Sequence, residues 1–379
     1  DRADHYRPDI VLFINGIPMV IIECKSPKIK EPVEKAIEQH LRNQQEDGIR
    51  SLYLYSNLTF ALASNEAKYG TTATSKEFWG VWKEMFRTKE EERFWENKIN
   101  ILKHKALPEN ERTVLFKERF RKVWQYFENL EQEEQVITTQ DKLLFSFCHP
   151  KRLLEIIYDF TLYDDGIKKV ARYQQYFAIK NTLTRILKID TKGNHEGGVI
   201  WHTQGSGKSL TMVMLAQLIA SHPNIKNPKI LLVTDRIDLD DQITETFKKC
   251  HVPVVNADKG ASKEIAKKLR GEILDDNEQE KLKKDTSLLK LITESGDAVI
   301  TTLIHKFEAA VNASPQSFDS SEIYILIDEG HRSQYGSFNV KMQKVFPNAC
   351  FIAFTGTPLL KKEKSTASKF GGIIDVYSI

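Results

Sequence analysis

The sequence predicts an α/β protein in three stretches: a small mixed sheet over residues 1–75, a helical spacer over 76–165, and a doubly wound parallel sheet over 166–379. Three observations predict it. Near the N-terminus, two apolar runs are separated by Asn15-Gly16, a strong hairpin signal. The middle is charged, with aromatic residues at helical spacing. Beyond about residue 166, short apolar runs alternate with helical segments, the pattern of a parallel sheet covered by helices.

Bulk properties narrow the class. The 379 residues suffice for two or three cores. A net charge of +3, from 55 basic and 52 acidic residues, neither demands nor excludes a local nucleic-acid surface. No apolar run reaches the ~18 residues of a membrane span, and Asp1-Arg2-Ala3-Asp4-His5 is no secretory signal. Cys24, Cys148, Cys250 and Cys350 form no C-x-x-C pair, so reduced thiols in a cytoplasm are expected, with no membrane partner.

In the first stretch, Ile10–Ile14 and Met19–Cys24 read as the hairpin strands. Pro32 opens a helix with Val33, Ala36, Ile37 and Leu41 on one face. Further strands are expected near Ser51–Tyr55 and Thr59–Ala63. In the spacer, Trp79, Trp82, Phe86, Phe116, Phe120, Val123, Trp124 and Phe127 are expected as core on helices, and Glu128–Gln135 as a solvated face or loop. The parallel strands are expected at Val199–His202, Lys229–Thr234, Ala298–Thr302, Ile323–Ile327 and Cys350–Phe354, with Asp275–Asp285 a charged insertion.

Val199-Ile200-Trp201 runs into His202-Thr203-Gln204-Gly205-Ser206-Gly207-Lys208-Ser209, and a helix over Leu210–Ala220 follows. Strand, glycine-rich loop, Lys-Ser and helix together make a phosphate loop. Glycines let backbone N–H groups converge on phosphate, and the helix N-terminus adds positive potential. Lys208 is placed for the β- and γ-phosphates of ATP, and the Ser209 hydroxyl for Mg²⁺. The general pattern has glycine where this chain has His202.

Ile323–Ile327 ends in Asp328-Glu329-Gly330-His331. An acid at the carboxyl end of a parallel strand faces the ligand crevice. Asp328 would hold Mg²⁺, and Glu329 would orient and deprotonate the attacking water. Thr355-Gly356-Thr357 follows the last strand, placed to couple nucleotide to nucleic acid. These motifs, in this order, resemble the first RecA-like lobe of a superfamily 2 helicase. The resemblance implies an adenine-reading role for Gln175, nucleotide contacts at His331, and nucleic-acid contacts at Val233-Thr234-Asp235-Arg236 and Thr301-Thr302.

Arg7-Pro8-Asp9 opens the first hairpin strand and Glu23-Cys24-Lys25 closes the second. The spacing is similar to that of a PD-(D/E)xK nuclease. Asp9 and Glu23 would bind Mg²⁺, and Lys25 would place or activate the attacking water. Glu23 and Lys25 share a strand face because side chains alternate. A strict two-residue turn would pair Asp9 with Ile22, so either a three-residue loop or one bulge is expected, pairing Asp9 with Glu23. Gln39 matches a glutamine such nucleases carry on the next helix; their tyrosine four residues on is Asn43 here.

A Glu-x-Lys nuclease, a helical spacer and a superfamily 2 lobe, in that order, resemble the restriction (motor) subunit of type I restriction–modification enzymes. The resemblance implies ATP-dependent translocation and cleavage of duplex DNA, with Mg²⁺, alongside methylation and specificity subunits in a bacterial or archaeal cytoplasm. The alternative is a superfamily 2 motor whose N-terminal fold only binds nucleic acid. A non-enzymatic assembly subunit conflicts with the intact Lys208, Ser209, Asp328 and Glu329. A type III subunit would carry its nuclease after the motor. The chain opens without Met and ends at Ile379, so a fragment lacking the second motor lobe is expected, one that binds ATP, hydrolyses it poorly and does not translocate. Lys259, Lys263 and Lys267 read as a solvated helix face.

Overall fold

The structure, a computed structural model, describes residues 6–116, 121–132, 136–234, 237–257, 288–294, 299–313, 317–328, 342–356 and 370–378. They fall into two compact units. One runs to Tyr158 and takes in Lys168–Tyr173; the other holds Asp159–Ile167 and the described residues from Gln174 onward.

The first unit is built on β1 (Ile10–Ile14), β2 (Ile17–Cys24), α1 (Pro32–Asn43), α2 (Arg50–Tyr55), β3 (Leu58–Ala63) and β4 (Glu66–Gly70), in a sheet of order β1-β2-β3-β4. β2 and β3 run parallel, and the outer pairs are antiparallel. A parallel pair needs a crossover, which α1 supplies. Val33, Ala36 and Ile37 on its inner face pack on Ala61 and Ala63 of β3 and on Trp79.

The strand expected near Ser51–Tyr55 is instead the helix α2. Its β-prone residues are overridden by the crossover, which must return the chain to the start of β3. Of this segment Tyr53 is fully buried, while Leu54 is 63% exposed.

After a 3₁₀ turn at Lys76–Phe78 come α3 (Lys89–Lys103), α4 (Glu109–Phe116), α5 (Arg121–Gln132), α6 (Thr139–Phe147) and α7 (Pro150–Asp159). The aromatic core expected here is only partly present. Trp79 and Trp82 are buried, but in extended chain after the turn rather than on a helix. Trp82 packs edge-on against Phe147, ring centroids 4.6 Å apart. Val123 and Phe127 are exposed, at 41% and 44%. They sit on the hairpin of α4 and α5, where Phe116 meets Phe127 at 5.4 Å, a pairing too small to cover a whole apolar stripe. Phe120 lies outside the described residues.

A two-stranded sheet of β5 (Thr161–Asp164) and β6 (Ile167–Val170) precedes α8 (Tyr173–Ile186). Then follow β7 (Gly198–His202), α9 (Lys208–Ser221), β8 (Lys229–Thr234), α10 (Ile237–Lys249), β9 (Val254–Asn256), α11 (Leu288–Glu294), β10 (Val299–Leu303), α12 (Ile304–Ala313), β11 (Ile323–Ile327), β12 (Cys350–Thr355) and β13 (Ile373–Tyr377). The seven strands lie in the order β13-β7-β12-β11-β8-β10-β9, and every pairing is parallel. β8, β10, β11 and β12 are buried along almost their whole length, as continuous apolar runs in a doubly wound sheet require. All five expected strands are present, each within a residue of its reading. β9 and β13 were not legible: one is three residues long and the other is a half-exposed edge. Asp275–Asp285 and the three lysines of the expected stripe lie outside the described residues.

Candidate functional site

The N-terminal hairpin places three chemical groups together. Asn15 and Gly16 both take positive φ, 51° and 79°, as a two-residue type I′ turn requires. That turn alone would pair Asp9 with Ile22. Between Leu12–Val20 and Phe13–Pro18, however, the ladder shifts by one residue, leaving Met19 extra on β2. Pro18 has no N–H to give the ladder, and prolines within sheets sit at edges or bulges. The bulge pairs Ile10 with Ile22 and so sets Asp9 beside Glu23, the expected register. Asp9 Oδ2 accepts from the Cys24 amide at 2.7 Å. Lys25 Nζ lies 3.8 Å from Asp9 Oδ2 and 3.9 Å from Glu23 Oε2.

Helix α1 completes the cluster. Gln39 Nε2 donates to Glu23 Oε2 at 2.6 Å, and Gln39 Oε1 accepts from Lys25 Nζ at 2.5 Å. One turn further, Asn43 Nδ2 donates to Glu23 Oε1 at 3.3 Å. The helical spacing of four put Asn43 on the Gln39 face, but nothing in the sequence said that an amide would reach Glu23. Glu23 is wholly buried. Burial, and then the neighbouring charge of Asp9, raise its carboxyl to about 8, against the opposing pull of Lys25. Two carboxylates crowded in this way fit a hard, oxygen-preferring cation such as Mg²⁺. Among the described residues no group of three or more His, Cys, Asp or Glu could hold a metal, so this site offers two acids.

In the second unit the carboxyl ends of β7, β12 and β11 lie side by side. The first carries Thr203-Gln204-Gly205-Ser206-Gly207 into Lys208 and Ser209 at the start of α9. Gly205 and Gly207 hold φ of 81° and 87°, a conformation side chains rarely adopt. Thr203 Oγ1 and Ser206 Oγ are buried without a hydrogen-bond partner. Buried polar groups are normally paired, so these hydroxyls and the glycine-rich backbone fit an oxyanion-bearing ligand such as a phosphate chain.

Gln175, buried on α8, donates from Nε2 to the Gly207 carbonyl at 3.0 Å. A Cβ on Gly207 would meet that nitrogen at 2.6 Å. Asp328 directly follows β11, nearly buried, its amide donating to the Val233 carbonyl at 2.9 Å. Thr355 ends β12 fully buried, with Gly356 next to it. Glu329, His331 and Thr357 lie outside the described residues, as do Asp235 and Arg236. Thr234, Thr301 and Thr302 are interior; Thr301 Oγ1 pairs with Thr244 Oγ1 at 3.0 Å. As placed, these three threonines offer no surface to a nucleic acid.

His202, where the general loop pattern has glycine, bonds through Nε2 to Asp375 Oδ2 of β13 at 2.7 Å. Their separation of 173 positions left that pairing invisible in sequence. All four cysteines are free thiols. No helix of the described residues is long and apolar enough to cross a membrane.

Residues 174–379 match the family model described as SWI2/SNF2 ATPase, and residues 2–78 the model described as Type I restriction enzyme R protein N terminus. The Type I restriction enzyme HindI endonuclease subunit of Haemophilus influenzae is 27% identical over 98% of this chain and 31% of its own length. The SsaAORF53P endonuclease subunit of Staphylococcus saprophyticus, also of a type I restriction enzyme, is 25% identical over 98% of this chain and 33% of its own. The chain thus spans about a third of the length of these relatives. A solved structure, the Sulfolobus solfataricus SWI2/SNF2 ATPase core in complex with dsDNA, covers 57% of this chain and 40% of its own at 14% identity and a TM-score of 0.33, too distant to bear on the fold.

Proposed function

This chain belongs to the SWI2/SNF2 ATPase family, with the N-terminal domain of type I restriction enzyme R proteins ahead of the ATPase, and from that premise we propose that it is the nuclease and first motor lobe of a restriction subunit that cuts duplex DNA while consuming ATP. The observation that carries the reading is the cluster of Asp9, Glu23 and Lys25, drawn together by a β-bulge and braced by Gln39.

In the first unit, Asp9 and Glu23 would hold Mg²⁺. The bound cation supplies Lewis acidity toward a phosphodiester oxygen and lowers the pKa of water. Lys25 contributes a cation facing both acids, suited to placing the attacking water and offsetting charge on the phosphorus. Gln39 keeps that geometry by occupying one oxygen of Glu23 while accepting from Lys25.

In the second unit, Thr203, Gln204, Gly205, Ser206 and Gly207 would cradle the phosphates of ATP, with Lys208 on the β- and γ-phosphates. Ser209 and Asp328 would hold Mg²⁺, and Glu329 would orient water. Gln175 would read adenine, and His331, Thr355, Gly356 and Thr357 would line the site. Duplex DNA is the substrate in this reading, methylation and specificity subunits are the partners, and the compartment is the cytoplasm.

The test is cleavage of unmethylated circular duplex DNA with Mg²⁺ and ATP. The full-length subunit is assembled with its methylation and specificity partners, as wild type and as Lys25→Ala. Wild type is expected to cut, and Lys25→Ala to consume ATP without cutting. Equal cutting by both, or ATP consumption with no cutting by either, would remove the nuclease from this site and leave a plain motor.

A further inference from the structure

The phosphate loop leaves β7 through His202, and that side chain is not idle. Its ring is 1% exposed and donates from Nε2 to Asp375 Oδ2 at 2.7 Å; Asp375 is itself 6% exposed. The second oxygen, Asp375 Oδ1, accepts from Asn181 Nδ2 at 3.1 Å. Asn181 lies on α8, the helix whose Gln175 donates to Gly207 at the far end of the loop. Beside His202, the Thr203 amide donates to the Tyr377 carbonyl at 3.1 Å, and the Tyr377 ring lies 5.6 Å from the His202 ring.

The pairing exists because β13 is irregular. Ile373 pairs with Val199, but Asp375 pairs with Ile200 and Tyr377 with His202. A regular ladder from Ile373 would have paired Asp375 with Trp201, on the face opposite His202. The one-residue bulge turns Asp375 onto the His202 face, two positions along. A buried carboxylate without partners is costly, and here both of its oxygens are satisfied.

We infer that Asp375 is a positioning residue for nucleotide binding: through His202 it pins the entry of the phosphate loop to β13, and through Asn181 it joins that strand to the helix that holds the loop's exit. This rests on the ATP-binding reading of the loop. Neither side chain needs to touch nucleotide. Together they remove the freedom of the loop's two ends, so that the ligand need not order them on binding.

The experiment uses the full-length subunit and a fluorescent ATP analogue, titrated with Mg²⁺ present, with thermal unfolding followed in parallel without nucleotide. His202→Leu and Asp375→Ala are each expected to weaken analogue binding about tenfold or more, the scale of a lost hydrogen bond to a charged group. His202→Gln, whose amide can still donate to Asp375, is expected to stay near wild type. Adding Asp375→Ala to His202→Leu is expected to cost little further affinity, because the two act as one unit. Unchanged affinity in both single variants would overturn the inference. So would a His202→Gln variant as weak as His202→Leu, with losses that add, since that marks a packing role only. Lys208→Ala serves as the control. If it binds the analogue like wild type, the loop is not the nucleotide site, and that reading falls together with this inference. If Lys208→Ala loses binding while His202→Leu and Asp375→Ala keep it, only the positioning role falls.

Discussion

Gln39 donates to Glu23 at 2.6 Å while accepting from Lys25 at 2.5 Å, so one amide fixes both an acid and a cation from a neighbouring helix. Its removal leaves Glu23 and Lys25 in place but free to pair directly. Gln39→Ala is expected to lower DNA cleavage by about 10- to 100-fold, the range for partners that orient metal ligands. ATP consumption by the same assembled enzyme is expected to stay at wild-type level. Cleavage kinetics and phosphate release, measured on one preparation, check this; parallel loss of both activities would place Gln39 in the fold rather than in the site.

Glu23 carries a stability signature in Mg²⁺-free buffer. Its carboxyl sits at about 8 in the fold against an ordinary 4.5, burial being the main cause. A raised carboxyl binds its proton more tightly folded than unfolded, so its stabilising contribution is complete below 4.5 and is lost as pH rises through about 8. Glu23→Gln is neutral at every pH, although its NH₂ must face one of the two donors, Gln39 or Asn43, that the acid accepts from. The melting temperature of the variant relative to wild type is expected to rise steadily from pH 4.5 to pH 8.5. A melting series across that window checks it, and a difference that does not change with pH would contradict it.

His40 predicts the opposite slope. Its Nε2 bonds the Phe60 carbonyl at 2.9 Å, so Nε2 carries the hydrogen and Nδ1 accepts from the Tyr53 hydroxyl, also at 2.9 Å. Burial pushes its pKa down to about 4 from an ordinary 6.5. The neutral ring therefore contributes stability above 6.5 that is lost as pH falls toward 4. His40→Gln is expected to flatten the loss of melting temperature over that range, at some cost to stability at pH 7.5.

How much of this was legible follows from distance along the chain. The phosphate loop and the acid after β11 are contiguous motifs, read directly. The Asp9–Glu23 register was readable because a two-residue turn and a Glu-x-Lys pair constrain each other over one hairpin, although the device chosen, a bulge at Met19, was one of two possibilities. Tyr53 misled: Leu52-Tyr53-Leu54-Tyr55 has strand composition, and only the parallel crossover makes it a helix with one residue turned inward. Asp375 was invisible, since its partner is 173 positions away and its orientation depends on a bulge.

Gly207 tests the loop from the backbone side. At φ 87° an alanine costs about 1–2 kcal/mol, and its methyl would also meet Gln175 Nε2 at 2.6 Å. Gly207→Ala is expected to abolish measurable binding of an ATP analogue. Gln175→Ala added to it relieves the contact but leaves the strained dihedral and removes the side chain assigned to adenine, so binding is expected to stay lost. Recovery in the double variant would mean that neither the backbone angle nor Gln175 matters to nucleotide binding.

Thr301 separates a structural threonine from a nucleic-acid contact. It is fully buried in β10, and its hydroxyl meets that of Thr244 on α10 at 3.0 Å. A surface contact would respond to substitution through DNA affinity and its salt dependence. An interior pair responds through stability, because removing the Thr301 hydroxyl leaves Thr244 Oγ1 only the longer bond from Asn256 Nδ2 at 3.4 Å. Thr301→Val is therefore expected to destabilise the fold by about 1–3 kcal/mol, and Thr244→Val with Thr301→Val together to recover much of that loss, since both partners are then apolar. Denaturant unfolding of the two single variants and the double variant measures the coupling. DNA affinity across a salt series is expected to match wild type. A weakened, salt-altered affinity in a Thr301→Val protein of unchanged stability would return this residue to the DNA interface.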